Sequence, residues 1–298
     1  MLILCLLAGV GLAAQQLELE GERVAGHGVV GHRMSTENQT LHGVSCPGCP
    51  HRAAYVACKE TLGRGRGRVI CGNAGCANVG PMHPAATACP GGEEALLDRY
   101  KVAVPMGGTS EEPACEAVIH FIPDVDLAAE NAAEMLHALP AEGHVTVLAV
   151  LASSAEFLTV DALEALAARA LELGCDDAAI VDPFDSQKSS DVLHGALARP
   201  GVHAVVFASP CAQLQRGEFQ AEPVEIDQYA CTSCHRCQQI TGCPAIAFTP
   251  PIFRIDRDAC AGCNLCVEYC RTNVIYSPRS RMTPEQRSRA RYAAANQQ

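Results

Sequence analysis

At 298 residues and 48% apolar content the chain is long enough to bury more than one core, since single domains usually run to about 100–200 residues. Aromatic residues make up only 4%, Trp is absent and the formal charge is −11, which excludes base-stacking platforms and disfavours nucleic acid or anionic membrane as partners. Eighteen cysteines are a heavy load for a reducing compartment unless they hold metal.

The chain opens on an apolar run at residues 2–14, with no Lys or Arg ahead of it to make a secretory leader. Such a run is too short for a membrane span. A buried strand turning at Gly9 and Gly11 is expected instead, and a cytoplasmic protein. Residues 15–45 are polar and rich in Gly and His, so that 1–43 reads as an apolar strand followed by a polar linker or remnant. His27, His32 and His42 are expected to be solvated or core residues rather than ligands.

From Pro50 onward helix and strand patterns alternate. A helix is expected over 51–62, a short strand over 68–71 and an apolar strand over 117–122. Asp126 is placed to cap a helix that runs to Leu139 and stops at Pro140. His144 to Leu151 reads as a buried strand. Thr159 caps a helix that ends at Leu173 and Gly174. Further strands are expected over 178–181 and 202–208, with a helix over 186–199 between them. Alternation of this kind predicts an α/β domain with a mostly parallel sheet over 44–222. The polar stretch 278–298 reads as a frayed helix or a disordered tail.

Between these lies the densest motif. Cys231, Cys234 and Cys237 are followed by Cys243, and Cys260, Cys263 and Cys266 by Cys270, two copies of one pattern 29 residues apart. Three cysteines spaced by two wrap three corners of a cubane iron–sulfur core from one loop, and in two-cluster ferredoxins the fourth cysteine of each run serves the other cluster. One 4Fe-4S cluster is therefore assigned to Cys231, Cys234, Cys237 and Cys270, and a second to Cys260, Cys263, Cys266 and Cys243, in a small α+β domain over 223–277. Zinc would leave cysteines over, and a chain this large needs no disulfide staples.

Four other cysteines fall near the carboxyl ends of predicted strands or just before the first helix: Cys46, Cys49, Cys76 and Cys211. Functional groups collect at that rim of a parallel sheet. Topology alone leaves two readings equal, a third cluster, or small core residues with a redox pair at Cys46 and Cys49.

The runs Cys46 to Arg52, Cys71 to Cys76, Pro105 to Gly108, Val181 to Asp185 and Pro210-Cys211, together with the two-cluster domain, resemble the 2-oxoacid:ferredoxin oxidoreductases. The similarity is greatest to the thiamine-diphosphate-binding and ferredoxin portions of the indolepyruvate ferredoxin oxidoreductase alpha subunit, and spans about residues 44–277. It implies a thiamine-diphosphate-type fold, a third cluster on Cys46, Cys49, Cys76 and Cys211, and cofactor contacts around His51, Gly107 and Gly108. It also implies an Asp after an apolar strand and an Asn about 30 residues on, to hold Mg2+. Here Ile119-His120-Phe121 and Leu151-Ala152-Ser153-Ser154 stand at those places, and Mg2+ needs hard oxygen ligands. Asp124, Asp126 and Ser153 are near enough in sequence to rescue a site, although a turn of serines and a capping Asp126 explain these residues better. His51, at a helix start beside the paired cysteines, is as well placed to be solvated as to hydrogen-bond a cluster sulfur, a diphosphate or a substrate carboxylate.

The expected function is an iron–sulfur electron-transfer subunit of an oxidoreductase complex, built on a degenerate thiamine-diphosphate scaffold. Its partner would be another oxidoreductase subunit or a ferredoxin-like carrier with a basic docking face, in a hetero-oligomer. The alternative is an active 2-oxoacid oxidoreductase that decarboxylates an indolepyruvate-like substrate to an acyl-CoA. A third reading is a regulatory protein with structural clusters. Cys5, Cys58, Cys71, Cys89, Cys115 and Cys175 are expected to be core or incidental thiols.

Overall fold

The structure is a computed structural model, and it describes residues 46–63, 68–72, 76, 117–133, 145–212, 214, 222–277 and 281–295. Five strands form one sheet: β1 (Arg68–Gly72), β2 (Ala117–Pro123), β3 (Val145–Ala152), β4 (Asp177–Val181) and β5 (Gly201–Ala208), in the order β1-β2-β3-β5-β4. Every pairing is parallel. The domain is α/β with a parallel sheet, as the alternating pattern predicts.

The sheet is buried on both faces, and that is why its strands read as continuous apolar runs. Period two sends Val118, Leu148 and Val206 to one face, under Leu163, Leu166 and Ala170 of α3 (Val160–Glu172). Ile119, Phe121, Val147 and Phe207 face the other way. There they meet Tyr55 and Leu62 of α1 (Pro50–Leu62) and Leu193 of α4 (Ser186–Leu197). The Thr159 hydroxyl accepts from the Ala162 amide at 3.2 Å, the cap expected for α3. Cys58 and Cys175 are buried within these two layers, as incidental thiols should be.

One predicted helix starts earlier than expected. The element after β2 is α2 (Asp124–Ala128), which begins at Asp124, so Asp126 lies inside it and is not its cap. The rest of the expected helix, from 134 on, lies outside the described residues, as do residues 1–43 with Cys5, and Cys89, Gly107, Gly108 and Cys115.

The cysteine-rich segment folds as two short antiparallel ladders, β6 (Glu225–Ile226) with β9 (Ile275–Tyr276) and β7 (Ile246–Thr249) with β8 (Ile252–Ile255). Helices α5 (Arg236–Thr241) and α6 (Leu265–Glu268) follow the second cysteine of each run. The repeat seen in the sequence is a repeat of backbone. Ser233 and Gly262 have φ of 50° and 59°, and His235 and Asn264 have φ of 61° and 66°. Left-handed residues inside such loops turn successive amide N–H groups to one side, a concavity suited to an anion or an iron–sulfur core.

This small domain packs on the sheet domain through Ala53 and Val56 of α1, Phe184 and Leu265. Residues expected to fray instead form α7 (Pro284–Ala295), and α7 joins the two domains. Arg287 pairs with Glu268 of α6 at 3.0 Å, while Arg291, 5% exposed, pairs with Asp182 and donates to Ser209 Oγ at 3.2 Å. The polar composition of α7 hid these long-range partners. Replacing Arg291 with Met leaves the partly buried Asp182 carboxylate without its cation, which should cost about 1.5–3 kcal/mol. Urea unfolding should show the loss and limited proteolysis should cut within 281–295; a protease-resistant variant would mean that another contact holds the helix.

Candidate metal centre

The cysteines of the second run do not sit alone. Cys243, Cys260, Cys263 and Cys266 line one cavity, with Arg52 and Asn264 in its wall. Burial pushes the Cys263 thiol up to about 12, and its neighbours Cys243 and Cys260 add to the shift. Burial likewise holds Cys266 far above the ordinary thiol range, followed by the charges of Cys263, Cys243 and Cys260. Those four line the same cavity, and Cys237 of the first run also acts on Cys266.

In the first run, burial raises Cys237 to about 11, with Cys270, Cys234 and Cys231 contributing in that order. Cys270 is also partly buried, but amide donors at Val274, Thr272 and Ile275 outweigh that burial and hold its thiol below the usual value. Thiolates crowded in a dry site stay protonated unless a cation takes all of them, so metal binding here must displace protons. The Gly262 amide already points at Cys260 Sγ, at 3.4 Å. Asn264 Oδ1 accepts from Ser277 Oγ at 2.9 Å, whereas its buried Nδ2 makes no hydrogen bond among the described residues. An orphan donor beside a thiol-lined cavity fits a sulfide-bearing core. No group of three or more His, Cys, Asp or Glu side chains among the described residues is arranged to hold a metal ion.

The second group lies at the carboxyl rim of the sheet. Cys46 and Cys49 are joined by a turn in which the Cys49 amide donates to the Cys46 carbonyl at 3.1 Å, and Cys49 caps α1 with Pro50 next in line. Cys49 is pushed up to about 11, mainly by burial. Burial raises the Tyr55 hydroxyl strongly, and the next contributions come from Cys49, Cys58 and Cys76, so Cys76 shares the neighbourhood of Cys49. Cys211 follows β5, its amide donating to the Ser153 carbonyl at 3.3 Å. Gly48, at φ +74°, closes the group: a Cβ there would stand 3.7 Å from that of Ala212 and 3.8 Å from that of Cys263. It would also stand 2.6 Å from the Ala261 Cβ, too near for any side chain. The Cys46–Cys49 turn therefore abuts both the end of β5 and the second cysteine run.

Arg52 was quoted in the sequence motif without a role, and the structure supplies one. It is 2% exposed, and its Nη1 donates to the Thr241 carbonyl at 2.9 Å and to the Gly242 carbonyl, directly ahead of Cys243. Its Nη2 reaches the Cys46 carbonyl at 3.4 Å.

His51 is 7% exposed, not a solvated residue at a helix start. Its Nε2 and Ser153 Oγ are 2.9 Å apart, its Nδ1 makes no hydrogen bond among the described residues, and burial lowers its pKa to about 4, so the ring is neutral at pH 7. The metal-ligand register also needs correction. Ile119, His120 and Phe121 lie in mid-strand, and the carboxyl end of β2 carries Asp124 instead. Strand pairing of Pro123 with Leu151 sets Asp124 beside Ser153 and Ser154. A carboxylate therefore does stand at the rim. Its Oδ2 accepts from the Ser153 and Ser154 amides, each at 2.9 Å, and its Oδ1 from the Val125 amide at 2.9 Å and Ser154 Oγ at 3.0 Å. A carboxylate has about four lone-pair sites. All four are engaged by protein donors in this structure.

Residues 253–276 match the 4Fe-4S binding domain family, and the chain thus carries a 4Fe-4S binding domain. Most of the chain is similar to indolepyruvate oxidoreductase subunit IorA. It is 25% identical to the Archaeoglobus fulgidus protein over 265 residues, covering 80% of this chain and 40% of that one. To the Methanothermobacter marburgensis protein it is 25% identical over 249 residues, 77% and 39% of the two chains. To the Pyrococcus abyssi protein it is 33% identical over 105 residues, 33% and 16% of the two. The chain spans about two fifths of the length of the first two relatives. Among the described residues no helix is long and apolar enough to cross a membrane.

The hydrogen bonds on Asp124 generate a direct test. Asp124→Ala leaves the Ser153 and Ser154 amides unbonded at a buried rim, at about 1–3 kcal/mol each. Denaturant unfolding without added Mg2+ should register that loss; an unchanged midpoint would show that the carboxylate is not a bracket between β2 and β3.

Proposed function

We propose, taking the distant homology to indolepyruvate oxidoreductase subunit IorA as premise, that this chain is the iron–sulfur electron-transfer subunit of an oxidoreductase complex. It would hold three 4Fe-4S clusters: on Cys231, Cys234, Cys237 and Cys270; on Cys260, Cys263, Cys266 and Cys243; and on Cys46, Cys49, Cys76 and Cys211. The observation that carries the reading is the crossed neighbourhood of the thiols, in which each triplet stands with the fourth cysteine of the other run. The Gly48 turn supports continuity between the rim cysteines and Cys263. When bound, clusters of this kind supply single-electron steps.

The residues present divide the work. Cys234 is exposed while its counterpart Cys263 is half-buried and lines the inner cavity, so the first set offers the open edge to a docked acceptor or donor. A formal charge of −11 favours a basic docking face on that partner, either another oxidoreductase subunit or a ferredoxin-like carrier in a hetero-oligomer of the cytoplasm. The chemistry at carbon would belong to the partner, because Asp124 has no lone pair to offer Mg2+.

One feature favours a second reading, an active 2-oxoacid:ferredoxin oxidoreductase subunit. His51 is buried at the rim with Nδ1 unspent, 2.9 Å from Ser153 through its other nitrogen, beside the strand ends where a thiamine cofactor would lie.

Iron analysis of anaerobically purified protein is expected to give about twelve atoms per chain; eight would confine the clusters to the small domain. Calorimetry with Mg2+ and thiamine diphosphate is expected to show no binding. Micromolar affinity, with cluster reduction by a 2-oxoacid and coenzyme A, would establish the second reading.

A further inference from the structure

The two cysteine runs share a backbone but not a setting. Between the second and third cysteine of the first run stands His235, and in the second run the same place is taken by Asn264. Both are left-handed and both open a short helix. The His235 ring is turned into an aromatic group, with centroids 4.4 Å from Phe248 and 4.8 Å from Phe253. Asn264 instead lines the cavity of Cys243, Cys260, Cys263 and Cys266. Its Oδ1 is held by Ser277, and its buried Nδ2 donor is unspent among the described residues.

Arg52 stands in the same cavity wall. The Thr241 and Gly242 carbonyls fix its guanidinium one residue short of Cys243. Reducing a cluster adds negative charge. A buried cation and an amide donor beside it stabilise the reduced form, and hydrogen bonds to sulfur and local charge are established determinants of cluster potential.

We propose that Arg52 and Asn264 are positioning residues that hold the potential of the cluster on Cys243, Cys260, Cys263 and Cys266 above that of its twin. The inner cluster is then the first of the two to be reduced. This rests on the two-cluster reading of the small domain.

The test is an anaerobic redox titration of the full chain followed by electron paramagnetic resonance, with signals assigned through Cys243→Ser and Cys270→Ser variants. Arg52→Gln should shift the midpoint that Cys243→Ser removes to lower potential and leave the one that Cys270→Ser removes in place. Arg52→Lys keeps the charge and should restore most of the shift. Asn264→Gly tolerates the left-handed backbone, removes the amide, and should lower the same midpoint. Should Arg52→Gln fail to retain iron, Asn264→Gly and Arg52→Lys decide alone. Full iron content with unmoved midpoints, or equal shifts in both clusters, overturns the inference. Iron well below about eight atoms in the unmodified chain would instead sink the cluster reading beneath it.

Discussion

A guanidinium buried without acceptors costs several kcal/mol, and the carbonyls that offset that cost for Arg52 come from both ends of the described chain. Cys46 supplies one from the sheet rim, and Thr241 and Gly242 supply the others from the small domain. The orientation of one domain is therefore a condition for the stability of the other. Gly48 adds a steric condition, since a side chain there would strike Ala261. The apolar contact of Ala53 and Val56 with Leu265 and the paired arginines of α7 complete the joint.

Much of this was legible in the sequence because it depends on local pattern. Strands buried on both faces leave apolar runs, the Thr159 cap is a short-range hydrogen bond, and cluster ligands must recur at fixed spacing to wrap a core of fixed size. What escaped was set by contacts between distant residues. Asp124 and Ser153 stand out in the sequence as possible metal-site residues, but only strand register shows that they bond each other, 29 positions apart. Nothing near His51 in sequence announces its bond to Ser153, at a separation of 102. The stretch around Arg291 read as a tail because a polar helix with no apolar stripe gives no sign that a carboxylate at position 182 awaits it.

The rim also illustrates how a carboxylate is committed. Two amides at the end of β3, one at the start of α2 and a serine hydroxyl converge on Asp124. Such donors neutralise it as a divalent ion would, but they belong to the fold and cannot be exchanged. The end of β2 is tied to the end of β3 by hydrogen bonds alone, beside the turn that carries Cys46 and Cys49. Soft thiols and a hard carboxylate thus lie within one rim, and the carboxylate is the group that ties β2 to β3.

The left-handed pairs Ser233 with Gly262 and His235 with Asn264 mark the small domain as a duplicated loop. Duplicates begin as equals, yet one copy now has Cys234 open to solvent while the other lies against the joint. Substitutions between the outer cysteines should therefore be tolerated better than those between the inner ones, where Ala261 already meets the Gly48 turn.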